Sequence, residues 1–258
     1  NKNKEVSKIE KVVEAQYYPL SFSQKRLWAL QHLDERSFAY NTPNNYLIDG
    51  SLQIPFLQKA FESLVERHEA FRTRFIVCDG VPFQKIYPID TGFFKNLEMP
   101  ESQIEGFLRD ECERPFDLEN ENLFRVRLIR IGFNRHILHI NMHHIISDGW
   151  SMEILEKEVA VMYEAFVKNM PNPLLPIIYQ YKDFSAWHNK VISESDKKNE
   201  LKEFWLQQLS GDLPTLELPL DFKRPVIQTH RGKICRFEFS KQHSQLLITF
   251  GKNNACGY

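Results

Sequence analysis

Along the chain, apolar positions fall into helical and strand-like periods that alternate from end to end. Residues 52–68 place Leu57, Ala60, Phe61, Leu64 and Val65 on one stripe, with Pro55 near the start, where a proline forfeits no helical hydrogen bond. The spacing predicts an amphipathic helix there. A shorter one is predicted over 23–33, with Leu27, Trp28, Leu30 and Leu33 near helical spacing. Residues 73–78 and 81–87 are β-rich runs joined by Asp79-Gly80, a dipeptide suited to tight hairpin turns because glycine accepts positive φ. A helix over 101–113 is closed by Arg114-Pro115. Residues 124–132 and 136–143 then read as adjacent central strands around Phe133-Asn134-Arg135.

From Asp148 or Gly149 a further helix runs to about Lys168, with Leu155, Val159, Met162 and Phe166 on one face and Ser147 or Asp148 as its cap. A proline-rich loop over 171–176 ends it. Residues 181–209 read as a long helix interrupted near 193–198 and stopped by Gly211. A proline-punctuated connection over 213–232, a strand over 233–239 and a helix from Ser240 complete the chain. Helices and strands intermixed in this way predict an α/β sandwich on a mixed sheet. The closing helix has no strand after it, so the domain is expected to continue past residue 258.

Composition narrows the function classes. The 258 residues carry a formal net charge of -1, which leaves no electrostatic footprint for nucleic acid or an anionic membrane. The cysteines Cys78, Cys112, Cys235 and Cys256 lack both the paired spacing of a zinc site and the density of a disulfide scaffold, so a reducing cytoplasm is the expected setting. No stretch approaches the ~20 apolar residues of a membrane span, and the polar first residues contain no signal-peptide core. A first residue of Asn1 fits a piece of a longer polypeptide.

Chemistry concentrates in His143-His144-Ile145-Ile146-Ser147-Asp148-Gly149, between a central strand and a capped helix. Side chains alternate along a strand, so His143 shares a face with His139 and Asn141, and His144 shares the opposite one with Leu138, Ile140 and Met142. Only one of the pair faces a given cavity. A neutral imidazole accepts a proton from an attacking amine or hydroxyl, or holds that nucleophile against a carbonyl. Asp148 is placed either to orient the imidazole or to pair with an arginine and hold the turn. Gly149 gives close backbone access, and an amide at a helix start stabilises an oxyanion. Spacing alone also admits a purely structural pair of satisfied histidines. Metal ligation is disfavoured, because adjacent strand histidines point apart and no third ligand has the usual spacing.

The run His143 to Ser151 resembles the central motif of nonribosomal peptide synthetase condensation domains. Three further segments are similar to that family's motifs in order and spacing: Ser21-Phe22-Ser23-Gln24-Lys25-Arg26-Leu27-Trp28, Arg67-His68-Glu69-Ala70-Phe71-Arg72-Thr73-Arg74-Phe75, and Tyr181-Lys182-Asp183-Phe184-Ser185-Ala186-Trp187. Residues 218–225, continuing to Arg231-Gly232, resemble a linker usual in these domains. The resemblance covers the chain from about Tyr18 onward.

It implies the amino-terminal lobe of a chloramphenicol acetyltransferase-like fold, in which two similar lobes enclose a reaction channel. The implied organisation is a linker or leader over 1–17, the lobe and its inter-lobe linker over 18–232, and a strand and helix over 233–258 leading into a second lobe. His144 is the implied catalytic residue, which positions or deprotonates the acceptor amine as it attacks a donor thioester. An α-amino group has a pKa of about 8, so positioning weighs at least as much as proton removal. His143, Asp148 and Gly149 are implied supporting residues, with Asp148 paired to an arginine beyond residue 258. Arg72, Ser147 and Trp150 are structural neighbours, and Arg72 and Arg26 are expected as buried scaffold charges.

No cofactor or metal is implied, since substrates arrive on the phosphopantetheine arms of donor and acceptor peptidyl carrier proteins, beside an adenylation domain. Heterocyclising relatives carry an aspartate-rich motif instead, and epimerising relatives a different continuation after the aspartate. Asp148-Gly149-Trp150-Ser151 is similar to the peptide-forming pattern. With half the channel absent, the isolated chain is expected to be inactive. A coenzyme A-dependent acyltransferase of the same superfamily and a non-catalytic docking lobe are the competing readings.

Overall fold

A computed structural model describes residues 8–193, 197–226, 232 and 235–256. It divides into two compact units, residues 1–215 and 216–258. In the first, the elements run β1 (Tyr18–Pro19), α1 (Phe22–Leu33), β2 (Asn41–Asp49), α2 (Ile54–Arg67), β3 (Thr73–Cys78), β4 (Val81–Ile86), β5 (Phe94–Glu98), α3 (Glu101–Glu113), β6 (Phe124–Gly132), β7 (Arg135–His143), α4 (Gly149–Val167), α5 (Tyr181–Ser193) and α6 (Lys197–Gln208). The second holds α7 (Lys241–Asn253), capped by the hydroxyl of Ser240 on the His243 amide.

Two sheets form, where the sequence predicted one. The four-stranded sheet has the order β2-β7-β6-β5 and is mixed, with β5 parallel to β6 and the other pairs antiparallel. The three-stranded sheet has the order β1-β4-β3. Its hairpin turns on Asp79 (φ 51°) and Gly80 (φ 76°), both in the left-handed region that a two-residue turn of this hand requires.

In the four-stranded sheet Phe124, Val126 and Leu128 stand opposite Met142, Ile140 and Leu138. With the buried residues of α2 and α4 they make the main core. Burying one such side chain fully stabilises by roughly 1.5–3 kcal/mol, so this face dominates the stability of the unit. A second cluster, Leu20, Leu27, Phe75, Phe116, Leu118, Leu123 and Ile145, lies beneath α1. Ile146 packs against both clusters, so the turn after β7 is seated at their junction.

The opposite face of β6 and β7 is polar and also buried. Arg125 stands opposite Asn141 and Arg127 opposite His139. Helix α3 covers them: Arg127 Nε lies 2.8 Å from Glu111 Oε2, and Asn141 donates to the Glu111 carbonyl at 2.8 Å. Arg125 donates to the carbonyls of Arg114 and Pro115 and to Glu121, and its guanidinium lies 3.7 Å from the Phe116 ring centroid. Arg125 and Arg127 are thereby paired and hydrogen-bonded, the condition on which a buried charge is tolerated, while Glu111 Oε2, Asn141 Oδ1 and His139 Nε2 are buried without a hydrogen-bond partner among the described residues.

Three differences from the sequence reading stand out. Strand β2, not expected, is an edge strand, which is where the ladder tolerates Pro43. Strand β5 was missed as well. The strand expected over 233–239 does not form in its described part: residues 235–239 have no sheet partner, and a strand exists only through pairing. Residues 233 and 234 lie outside the described residues, as do 1–7 of the expected leader and 194–196 of the expected helix interruption. Among the described residues no helix is long and apolar enough to cross a membrane.

Candidate active site

Strand β7 ends at His143, and the two histidines part company there. His143 is buried at 1% exposure. Its Nδ1 accepts the amide of Ile145 at 3.0 Å, so the ring proton belongs on Nε2, which donates to Gln31 Oε1 at 3.3 Å. Burial, and secondarily the neighbouring His144, push its pKa down to about 3. His143 is therefore a neutral, fixed imidazole. His144 is exposed, its amide donates to the Tyr40 carbonyl at 2.8 Å, and it lines a cavity of about 340 Å³.

The turn that presents His144 is closed from within. The Ile146 amide and the Ser147 hydroxyl both donate to the His143 carbonyl, at 3.1 and 3.2 Å. Asp148 then caps α4 in a reciprocal box: its Oδ1 accepts the Ser151 amide at 2.8 Å and the Ser151 hydroxyl at 2.7 Å, while its own amide donates to Ser151 Oγ at 3.2 Å. The Ser151 side-chain hydrogen bond, outweighing the opposing effect of burial, holds the Asp148 carboxyl below the usual range. Among the described residues Asp148 makes no hydrogen bond to His144 and no ion pair. Gly149 opens α4 and is exposed, and a Cβ added to it would meet nothing within 4 Å. Trp150 is 73% exposed.

Three further walls complete the cavity. Helix α1 contributes Ser23, Arg26 and Leu27, the turn before β3 contributes Ala70, β3 contributes its first residue, Thr73, and α5 contributes Tyr181. Arg26, expected as a buried scaffold charge, is instead exposed in this wall and has no acidic partner among the described residues. The helical face that α1 buries carries Gln24, Leu27 and Gln31, which turns Arg26 outward. Arg72 lies behind the cavity, half-buried, donating to the Tyr87 carbonyl at 3.1 Å with Glu69 at 3.9 Å. The sequence reading did not single out Gln31, Tyr40 or Tyr181 for the site. Tyr40 acts through its carbonyl, which no side-chain pattern reveals.

At the start of α5, Lys182 is buried between Glu69 and Glu14, its Nζ 3.1 Å from each. Burial alone would lower its pKa, but the hydrogen bonds to Glu69 and Glu14 outweigh it and leave the ammonium pKa raised. Asp183, equally buried, accepts the Val12 amide at 2.8 Å and the Gln180 amide at 2.8 Å.

An α/β unit with a mixed sheet, flanking helices and a histidine turn at the end of a central strand defines the chloramphenicol acetyltransferase-like fold. The fold matches the X-domain from teicoplanin biosynthesis with a TM-score of 0.76 at 24% identity, over 86% of this chain and 49% of that one. It also matches the first condensation domain of the calcium-dependent antibiotic synthetase, with a TM-score of 0.68 at 21% identity over 79% of this chain and 51% of that one. In sequence the chain is 39% identical over 241 residues to surfactin synthase subunit 2 of Bacillus subtilis (strain 168), covering 91% of this chain and 6% of that protein. It is 38% identical over 254 residues to bacitracin synthase 2 of Bacillus licheniformis, covering 98% of this chain and 9% of that protein. The chain thus spans under a tenth of these two relatives and about half of the solved domains. The profile of the condensation domain matches residues 14–256, and the chain belongs to that family.

Proposed function

We propose that this chain is the catalytic-histidine lobe of a nonribosomal peptide synthetase condensation domain, joining a carrier-bound aminoacyl or peptidyl thioester to the amine of a carrier-bound acceptor. The observation that carries this reading is the division of labour at the end of β7. His143 is locked, buried and neutral, while His144 opens into a cavity from a backbone pinned on both sides.

In the proposed reaction the acceptor nitrogen attacks the thioester carbonyl, so a C–N bond forms and the carbonyl oxygen takes up negative charge. Collapse breaks the C–S bond, and the proton lost by the amine passes by way of His144 to the departing thiolate. His144 Nε2 or Nδ1 holds the amine against the carbonyl. His143, Ser147 and Asp148 keep the turn in shape, Gly149 leaves the backbone open, and Arg72 and Trp150 flank the site without entering the chemistry.

Substrates would arrive on phosphopantetheine arms from donor and acceptor carrier proteins, with an adenylation domain in the same cytoplasmic assembly, and no metal or cofactor of the domain's own would be needed. A second lobe would close the channel. The exposed Leu201, Phe204, Trp205 and Leu206 on α6 support a surface that a further part of the protein covers. Turnover of aminoacyl carrier donors by a complete domain, lost in His144→Ala, tests the reading. Equal turnover with coenzyme A thioesters would favour a stand-alone acyltransferase instead.

A further inference from the structure

The walls around His144 belong to separate elements, and two adjacent residues at the start of α5 tie two of them together. Tyr181 lines the cavity and its hydroxyl lies 2.9 Å from the hydroxyl of Ser21, the residue that caps α1. Ser21 sits two and five positions before Ser23 and Arg26, so its anchorage sets where this wall begins. Lys182 holds Glu69, whose carbonyl accepts the Thr73 hydroxyl at 2.8 Å. Glu69 opens the short turn that carries Ala70 and Thr73 into the opposite wall. The other carboxylate oxygen of Glu69 is buried without a hydrogen-bond partner, so its charge depends on Lys182 and the more distant Arg72.

We propose that Tyr181 and Lys182 are positioning residues for amide formation, fixing the separation of the α1 wall and the Ala70–Thr73 wall and hence the place of the acceptor amine beside His144. The proposal rests on the functional reading given above. It also gives the segment before β1 a part in the site. Glu14 supplies the second carboxylate to Lys182, and Val12 is held by Asp183, so the segment arriving from the amino-terminal side is bonded to the same helical turn. Neither residue touches the reacting atoms in this scheme. Each acts through the wall it holds.

Misplacement of a reacting group by about 1 Å costs up to about 10²-fold in rate, so loosening one wall should show in turnover before it shows in stability. The experiment uses a complete condensation domain bearing this chain as its amino-terminal lobe, assayed with an aminoacyl carrier donor and a carrier-bound acceptor, beside thermal melts. Tyr181→Phe removes one oxygen and no packing. It is expected to lower kcat by about 10-fold with acceptor KM changed less than about twofold and an unchanged melt, and Lys182→Arg is expected to retain several-fold more turnover than Lys182→Met. Parent-like turnover of Tyr181→Phe beside an inactive His144→Ala would overturn the positioning proposal alone. Full activity of His144→Ala would overturn the functional reading and this proposal with it.

Discussion

The Nε2–H of His143 donates to Oε1 of Gln31 at 3.3 Å, and the amide of Gln31 is itself turned by donating to the carbonyls of Glu35 and Ser37. The last residue of a central strand is thereby tied to the end of α1, across the second core cluster. The Ile145 amide, which donates to Nδ1 of the same ring at 3.0 Å, is the bond that requires a neutral imidazole.

A pH dependence of stability follows. His143 is held down to about 3 and His139 to about 4, burial being the largest cause in both. An unfolded histidine binds a proton as pH falls through about 6.5, while these two stay neutral in the fold, so the unfolded state gains protons and stability drops. The loss starts near pH 6.5 and continues to the folded values. At pH 5 it amounts to about 2 kcal/mol per histidine. Melting temperatures measured from pH 7.5 to pH 5 should fall, and replacing His143 by glutamine should flatten the slope.

The two neighbouring histidines should respond in opposite ways to truncation. His143→Ala removes a buried ring and leaves the Ile145 amide unpaired, a cost of about 2–4 kcal/mol. His144→Ala alters an exposed side chain and should change the melt by less than about 0.5 kcal/mol, while lowering amide formation in a complete domain by about 10²-fold or more. Denaturant titration of this chain and a turnover assay of the complete domain separate the two effects.

Asp148 earns its place in the fold as a helix cap, and this separates shape from charge. Asp148→Ala should destabilise by about 1 kcal/mol, whereas Asp148→Asn, which retains an accepting oxygen, should cost only a few tenths. Equal losses in the two variants, measured by chemical denaturation, would contradict the capping role.

The polar layer under α3 predicts a non-additive pair. Glu111→Ala strands the buried Arg127 and should cost about 3–5 kcal/mol. Joined with Arg127→Met, the double variant should recover part of that loss, because no uncompensated charge remains. Urea midpoints of both singles and the double provide the cycle.

Much of this was legible in the sequence. The stripe from Leu57 to Val65, the Asp79-Gly80 hairpin and the helix following Asp148 are local signals, and each element formed within a few residues of its expected place. Strand β2 escaped because Asn41-Thr42-Pro43-Asn44-Asn45 has a composition that argues against a strand, and only its pairing with β7 makes it one. Residues 124–132 read as a central strand, but the place of Arg125 and Arg127 within it did not enter that reading. Their alternation with Phe124, Val126 and Leu128, facing the alternating histidines and asparagine of β7, carried the signal of a two-sided sheet with one charged side. The cavity was beyond reach, since its walls come from separate stretches scattered between Ser23 and Tyr181.

That two-sided sheet bears on more than stability. Were β6 to slide by one residue against β7 and turn over, its arginines would enter the apolar core and its phenylalanine and valine would face Glu111. Were β7 the strand that turned over, His139 and Asn141 would enter the apolar core and His143 and His144 would exchange sides. The alternating charge therefore works as a ratchet for chain alignment, guaranteeing at each folding event which of two identical imidazoles reaches the open side.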